Sequence, residues 1–237
     1  PAIPGLEFRQ FQGESDYAPI AAVLTASETA DQVDRHVDAD DIAKSYQNLS
    51  NCDPYRDVII AEVNGEMVGY VRGWWEAGEA QQRIYRHNGF LLPEWRRKGI
   101  GSTFLRAMEQ RLREVADSHP PELEKLFEVN TSQYQAGTGI MLERSGYQPV
   151  RYFYLMVRPT LENIKEFPLP EGLEVRPVIP EHYRLVWELN DQTGQDEWGH
   201  RKLTEADYQE WLSSKYFQPE LWQVAWDTAT NQIVGQV

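Results

Sequence analysis

The run Leu91-Leu92-Pro93-Glu94-Trp95-Arg96-Arg97-Lys98-Gly99-Ile100-Gly101-Ser102 holds the groups in this chain best suited to gripping a polyphosphate. From Ile100 onward, Ile100, Phe104, Leu105, Met108, Leu112 and Val115 recur at steps of three and four, so a helix with one buried face starts at the glycines. The first turn of a helix carries N–H groups with no internal partner and a partial positive charge. An anion placed there gains hydrogen bonds and dipole stabilisation together. Gly99 and Gly101 remove the Cβ atoms that would hold a phosphate off that backbone. Arg96, Arg97 and Lys98 add positive charge, and a guanidinium can meet phosphate oxygens through two parallel hydrogen bonds. Two other phosphate-binding loops are excluded: a dinucleotide fingerprint needs a third glycine where Phe104 stands, and a P-loop needs Gly-Lys-Ser/Thr after its second glycine.

The elements that position this loop read as follows. Leu6 to Phe11 alternates apolar and polar side chains and predicts a strand; Ser15 or Asp16 then caps a helix carrying Ile20, Ala21 and Leu24, and a second helix follows around Asp41 to Leu49. Val58 to Val63, Asn64-Gly65 and Met67 to Val71 form a strong hairpin signal, because Asn-Gly supplies the two positive-φ positions of a tight turn. A strand from about Arg83 to Leu92 feeds the loop, and Leu126 to Asn130 predicts another strand. A short helix over Gly139 to Ser145 and a long final strand over Tyr147 to Val157 complete the unit.

The order strand, Pro, Arg96-x-x-Gly99-x-Gly101, helix is similar to the pyrophosphate loop of the GNAT superfamily, the acetyl-CoA-dependent N-acetyltransferases. The order of elements over about residues 5 to 158 also resembles that family. The resemblance implies an α/β (α+β) fold with a mixed, mostly antiparallel sheet flanked by helices. It implies acetyl-CoA as cofactor, held by Leu91, Leu92, Arg96, Arg97, Lys98, Gly99, Ile100, Gly101 and Ser102, with Asn130 and Ser132 bonding pantetheine. The activity expected is direct acetyl transfer to a primary amine of a small, cationic acceptor, the alternative being a non-catalytic acyl-CoA-binding module.

The catalytic groups depart from the family's pattern. The family often sets a carboxylate about eleven residues before the loop arginine, where this chain has Tyr85. Strand alternation puts Tyr85, His87, Gly89 and Leu91 on one face, and His87 is the nearest group whose ordinary pKa suits proton removal at neutral pH. Glu76 and Glu79 are second-choice carboxylates. The usual acid, a tyrosine four residues before a Gly-Phe/Tyr pair, falls on Leu142 before Gly146-Tyr147, leaving water or a displaced Tyr134, Tyr152 or Tyr154. Family acceptors lie near the loop between the first two helices, which here is crowded with Asp31, Asp34, Asp38, Asp40 and Asp41.

The pattern then restarts. After a linker over 159–172, Leu173-Glu174-Val175-Arg176-Pro177 echoes Leu6-Glu7-Phe8-Arg9-Gln10 and Ile233-Val234-Gly235-Gln236-Val237 echoes Met67-Val68-Gly69-Tyr70-Val71, with Trp222 to Trp226 where the hairpin partner should lie. These echoes predict a domain over 1–158 and a partial second copy over 173–237 that lacks its own phosphate loop. The edge at 232–237 is expected to be covered by a missing C-terminal segment or by a partner chain.

Composition sets outer limits. The sequence of 237 residues is 41% hydrophobic and 25% charged, enough for a packed core, and has no apolar run long enough to span a bilayer. Its net charge of −14 repels nucleic acid at long range. Cys52 is the sole cysteine, which rules out intramolecular disulfides and fits the cytoplasm; His36, His87, His119, His182 and His200 lack metal-site spacing, so no metal is expected.

Overall fold

The computed structural model describes residues 1–33, 35–78, 81–197, 203–214 and 216–237. It divides into two compact units, Pro1–Tyr152 and Phe153–Val237. Asp34, Glu79 and His200, singled out in the sequence, lie outside the described residues.

The first unit contains β1 (Leu6–Gln10), α1 (Tyr17–Ala30), α2 (Ala39–Gln47), the single turn α3 (Pro54–Asp57), β2 (Val58–Val63), β3 (Glu66–Ala77), β4 (Gln82–Leu91), α4 (Ile100–Asp117), β5 (Glu124–Glu128) and α5 (Ala136–Arg144). The five strands pair in chain order, antiparallel except for the parallel β4/β5 pair, whose crossover is α4. Asn64 and Gly65 take φ values of 52° and 84°, as the hairpin reading requires.

Two apolar layers sandwich the sheet. Ile20, Val23 and Leu24 of α1 and Ile42 and Tyr46 of α2 pack on Val58, Ile60 and Tyr70. On the other face Ile100, Phe104, Met108 and Leu112 of α4 pack on Ala61, Val63, Val71 and Tyr85. A bulge adjusts the faces of β3: Ala61 pairs with Gly69 but Glu62 with Met67, so Val68 has no opposite number. Val68 thereby joins Val71 in the α4 layer, while Met67 and Tyr70 lie in the other.

Two expectations need correction, and one element was not anticipated. Asp16 occupies the N-cap of α1, but its carboxylate does not cap: it accepts from Arg9 at 2.7 and 2.9 Å and from the amide of Gln12 at 2.7 Å, because a buried ion pair offers more than a helix end. The turn α3 is invisible to hydrophobic periodicity and rests on Asp53, which accepts from the Tyr55 amide at 3.1 Å ahead of Pro54. The long strand over Tyr147 to Val157 does not form. The alternating pattern is there, but a strand needs a neighbour to pair with, and Tyr152, Tyr154, Leu155 and Met156 stand 71–93% exposed.

The second unit contains β6 (Leu173–Arg176), α6 (Tyr183–Gly194), α7 (Glu205–Ser213), β7 (Val224–Asp227) and β8 (Gln232–Gln236). Its antiparallel sheet, ordered β6-β7-β8, packs Val224 and Trp226 against Val186 of α6.

Candidate active site

The parallel ladder between β4 and β5 ends at Arg86 and Glu128, whereas β4 runs on beside β3 as far as Leu91 opposite Gly69. Residues 87–91 thus keep one strand neighbour and leave the backbone on their β5 side for another partner. The Leu92 amide donates to Val68 O at 2.9 Å, so the bulge in β3 anchors the exit of β4. The chain then turns through Pro93–Trp95.

The mouth of α4 follows. Arg97 and Gly99 take left-handed φ values of 62° and 89°, the kind of backbone alternation from which anion-binding nests are built. Thr103 N bonds Gly99 O at 3.2 Å, while the amides of Ile100, Gly101 and Ser102 have no partner among the described residues. A Cβ at Gly101 would meet Met141 Sδ at 3.6 Å and Leu91 Cδ1 at 3.7 Å, which sets this glycine between the end of β4 and α5; one at Gly99 would meet only Pro1, at 3.4 Å. Arg97 lies along the start of α5, its Nη1 3.6 Å from where a Gly137 Cβ would be, and Lys98 Nζ sits 4.4 Å from the Trp95 ring centre.

Arg96 behaves differently from its two basic neighbours. Its guanidinium turns inward to the buried Asp31 carboxylate, with Nη1 2.6 Å from Oδ1 and Nη2 3.1 Å from Oδ2. Nη2 also donates to Ser27 O and Oγ at 3.0 and 2.8 Å. The positive charge free for an anion therefore comes from Arg97 and Lys98. The aspartate-rich loop shrinks for the same reason: Asp31 is spent on Arg96, and Asp38 and Asp41 cap α2 in a reciprocal box, leaving Asp40 exposed.

The proton-handling candidates are not brought together at the mouth. Tyr85 and His87 pair across the strands with Trp75 and Gly73 and face α4, 1% and 5% exposed. Tyr85 OH lies 2.6 Å from His119 Nδ1 and His87 Nε2 lies 3.4 Å from Tyr147 OH. Burial pushes the His87 pKa down to about 4, so the imidazole is neutral at pH 7. Burial, then the nearby Glu109, raises that of Tyr147. Tyr134 is 51% exposed just ahead of α5, Asn130 is exposed beyond β5, and Leu142 is buried. Burial pushes the Cys52 thiol up to about 12, so it is protonated at neutral pH.

A charge network on the other face of β4 escaped the motif reading. Arg86 Nη1 lies 2.5 Å from Glu76 Oε2 and Nη2 2.8 Å from Glu128 Oε1, and Trp74 Nε1 donates to Glu76 Oε1 at 2.8 Å. Its signal in the sequence was the polar alternation of Arg72, Trp74 and Glu76 against Arg86 and Asn88. Among the described residues no group of three or more His, Cys, Asp or Glu is placed to hold a metal, and no helix is long and apolar enough to cross a membrane.

Residues 22–131 match the model of the acetyltransferase (GNAT) family. The GCN5-related N-acetyltransferase of Sphaerobacter thermophilus superposes with a TM-score of 0.71 at 21% identity, covering 100% of this chain and 72% of that one. The glucosamine-6-phosphate N-acetyltransferase of Arabidopsis thaliana is similar at a TM-score of 0.47 and 9% identity, over 64% of this chain and 97% of that one. Among curated protein sequences none matches. The first unit therefore has the GNAT acetyltransferase fold.

Proposed function

We infer that this protein is an N-acetyltransferase that moves the acetyl group of acetyl-CoA directly onto a primary amine of a small acceptor. The observation that carries the reading is the pairing of the unpartnered Ile100–Ser102 amides with the open β5 side of residues 87–91. The residues present fit a diphosphate: Arg97 and Gly99 supply the left-handed backbone of such a nest, and Arg97 and Lys98 supply charge. Acetyl-CoA, when bound, supplies an acyl group activated as a thioester. The free backbone of Gly89 to Leu91 is suited to orient pantetheine and to donate hydrogen bonds to a developing oxyanion, with Asn130 as a further polar contact. Tyr134 is our choice for protonating the leaving thiolate, since it is half exposed and stands one residue before Gln135 at the start of α5. Because Tyr85 and His87 are enclosed, we assign deprotonation of the amine to solvent.

The second reading, an acyl-CoA-binding module without chemistry, draws on Leu142 standing where the family's acid is expected. Thiol release from acetyl-CoA across a panel of small amines separates the two. The enzyme reading expects acceptor-dependent release in the parent chain and none in Gly101→Glu, whose carboxylate would enter the mouth. Calorimetric binding of coenzyme A with no release for any amine would favour the module, and unchanged affinity in Gly101→Glu would move the cofactor elsewhere.

We also propose that the second unit is a partial copy of the first. The order β6-α6-α7-β7-β8 repeats β1-α1-α2-β2-β3 with α3 omitted. Both hairpins carry the same bulge, an Ala–Gly pair beside an unpaired valine: Ala61, Gly69 and Val68 in one, Ala225, Gly235 and Val234 in the other.

A further inference from the structure

Asp31 is 3% exposed, and its backbone and carboxylate together join three elements around the mouth of α4. It closes α1, from which it takes its own place at the C-cap. It pairs with both terminal nitrogens of Arg96, one residue before the left-handed Arg97. Its Oδ2 also accepts from Gln135 Nε2 at 3.1 Å, and Gln135 is the N-cap of α5. The other end of that amide, Oε1, accepts from Ser132 N and Thr131 Oγ1, both at 3.1 Å. One chain of hydrogen bonds thus runs from α1 through the start of the loop to the segment joining β5 and α5, the two sides between which a diphosphate would sit.

Resting on the acetyl-CoA reading, we propose that Asp31 and Gln135 are positioning residues that fix the α4 mouth for the diphosphate through Arg96. Arg96 is committed to the protein in this arrangement: its charge is met by Asp31, and its Nε, Nη1 and Nη2 donate to Leu91 O, Asp31 and Ser27. What it supplies is a fixed starting point for the backbone that turns at Arg97. A carboxylate holds a guanidinium bidentately in one plane, and an amide tied to that carboxylate sets the far wall. Loosening the pair should let the Ile100–Ser102 amides drift from a converged geometry, and misplacement on that scale weakens binding by roughly ten- to a hundredfold.

The test compares two ligands by displacement calorimetry on the whole chain: coenzyme A, which has the diphosphate, and pantetheine, which lacks it. Gln135→Ala and Asp31→Asn should each weaken coenzyme A by about tenfold or more while leaving pantetheine unchanged. Arg97→Ala should weaken coenzyme A and also flatten the salt dependence of its affinity. Gln135→Ala should leave that dependence intact, because it removes no charge. Equal losses for both ligands would reduce Asp31 and Gln135 to general packing roles, and unchanged coenzyme A affinity in Gln135→Ala would overturn the proposal. Should Asp31→Asn fail to fold with Arg96 left unpaired, Gln135→Ala, a change to a partly exposed neutral side chain, still decides the matter. Failure of the parent chain to bind coenzyme A would instead remove the acetyl-CoA reading on which this inference rests.

Discussion

His87 shows how one side chain can be chemically suggestive in sequence and structural in space. An exposed histidine titrates near neutrality, but this one lies under α4, where burial holds its pKa at about 4. The folded state therefore binds fewer protons than the unfolded chain once the pH falls below the ordinary histidine value of 6.5. Stability drops from there until about pH 4 and changes no further on this account, a loss of about 3 kcal/mol. His87→Gln keeps a polar partner for Tyr147 and cannot titrate. Urea unfolding from pH 7 to pH 4 should show the variant losing less stability than the parent by about that amount. Identical slopes would mean that the imidazole takes up a proton without cost, in contact with water. The same burial removes His87 from any rate change between pH 5 and 8, so a proton-transfer step that titrates there belongs to another group.

Helix α4 approaches the sheet closely at Gly73, directly opposite His87 in the ladder. A Cβ at that position would meet Met108 Sδ at 2.4 Å and Leu112 Cδ2 at 3.2 Å, so the absent side chain is what seats the helix whose mouth forms the site. Gly73→Val should overpack this contact and cost roughly 1–3 kcal/mol, despite the better strand propensity of valine. Adding Met108→Ala, which empties the space, should recover part of the loss, giving a coupling energy that chemical denaturation of the four-member cycle measures. Additive effects would mean that the helix shifts as a whole. Elements of this kind were legible in the sequence wherever local pattern decides them: the helix at Ile100 and the strand feeding the loop stand within a residue or two of their expected bounds, and the hairpin turns at Asn64-Gly65, although β3 runs on to Ala77, past the expected Val71. The partnerships across them were not legible. Nothing in the run Arg96-Arg97-Lys98 separates the arginine that pairs with Asp31 from the one left for an anion, because the distinction depends on a carboxylate 65 residues away in sequence. The predicted final strand failed likewise, since alternation specifies two faces and says nothing about a neighbour.

On the scale of the whole chain, the stretch between the two sheets is the point of weakness. Residues 147–172 hold no helix or strand, and apolar side chains from Val150 to Val157, together with Leu161 and Phe167, stand well exposed. Exposed backbone without ladder hydrogen bonds is what a protease can draw into its cleft, and this segment offers Tyr152, Phe153, Tyr154 and Leu155 in a row. Each unit has its own buried cluster to resist the same attack, built around α4 in one and around Val224 and Trp226 in the other. Brief chymotrypsin treatment should therefore cut first within 152–167, and mass spectrometry should find two fragments, each persisting longer than the parent chain. The contiguous apolar surface gives the experiment a second edge, because a run of this character is also what another strand would pair with. First cuts before residue 147 or after residue 172, with 152–157 spared, would show that this segment is paired in solution, and the strand anticipated from its alternating residues would then exist in a ladder that a single copy of the described chain does not form.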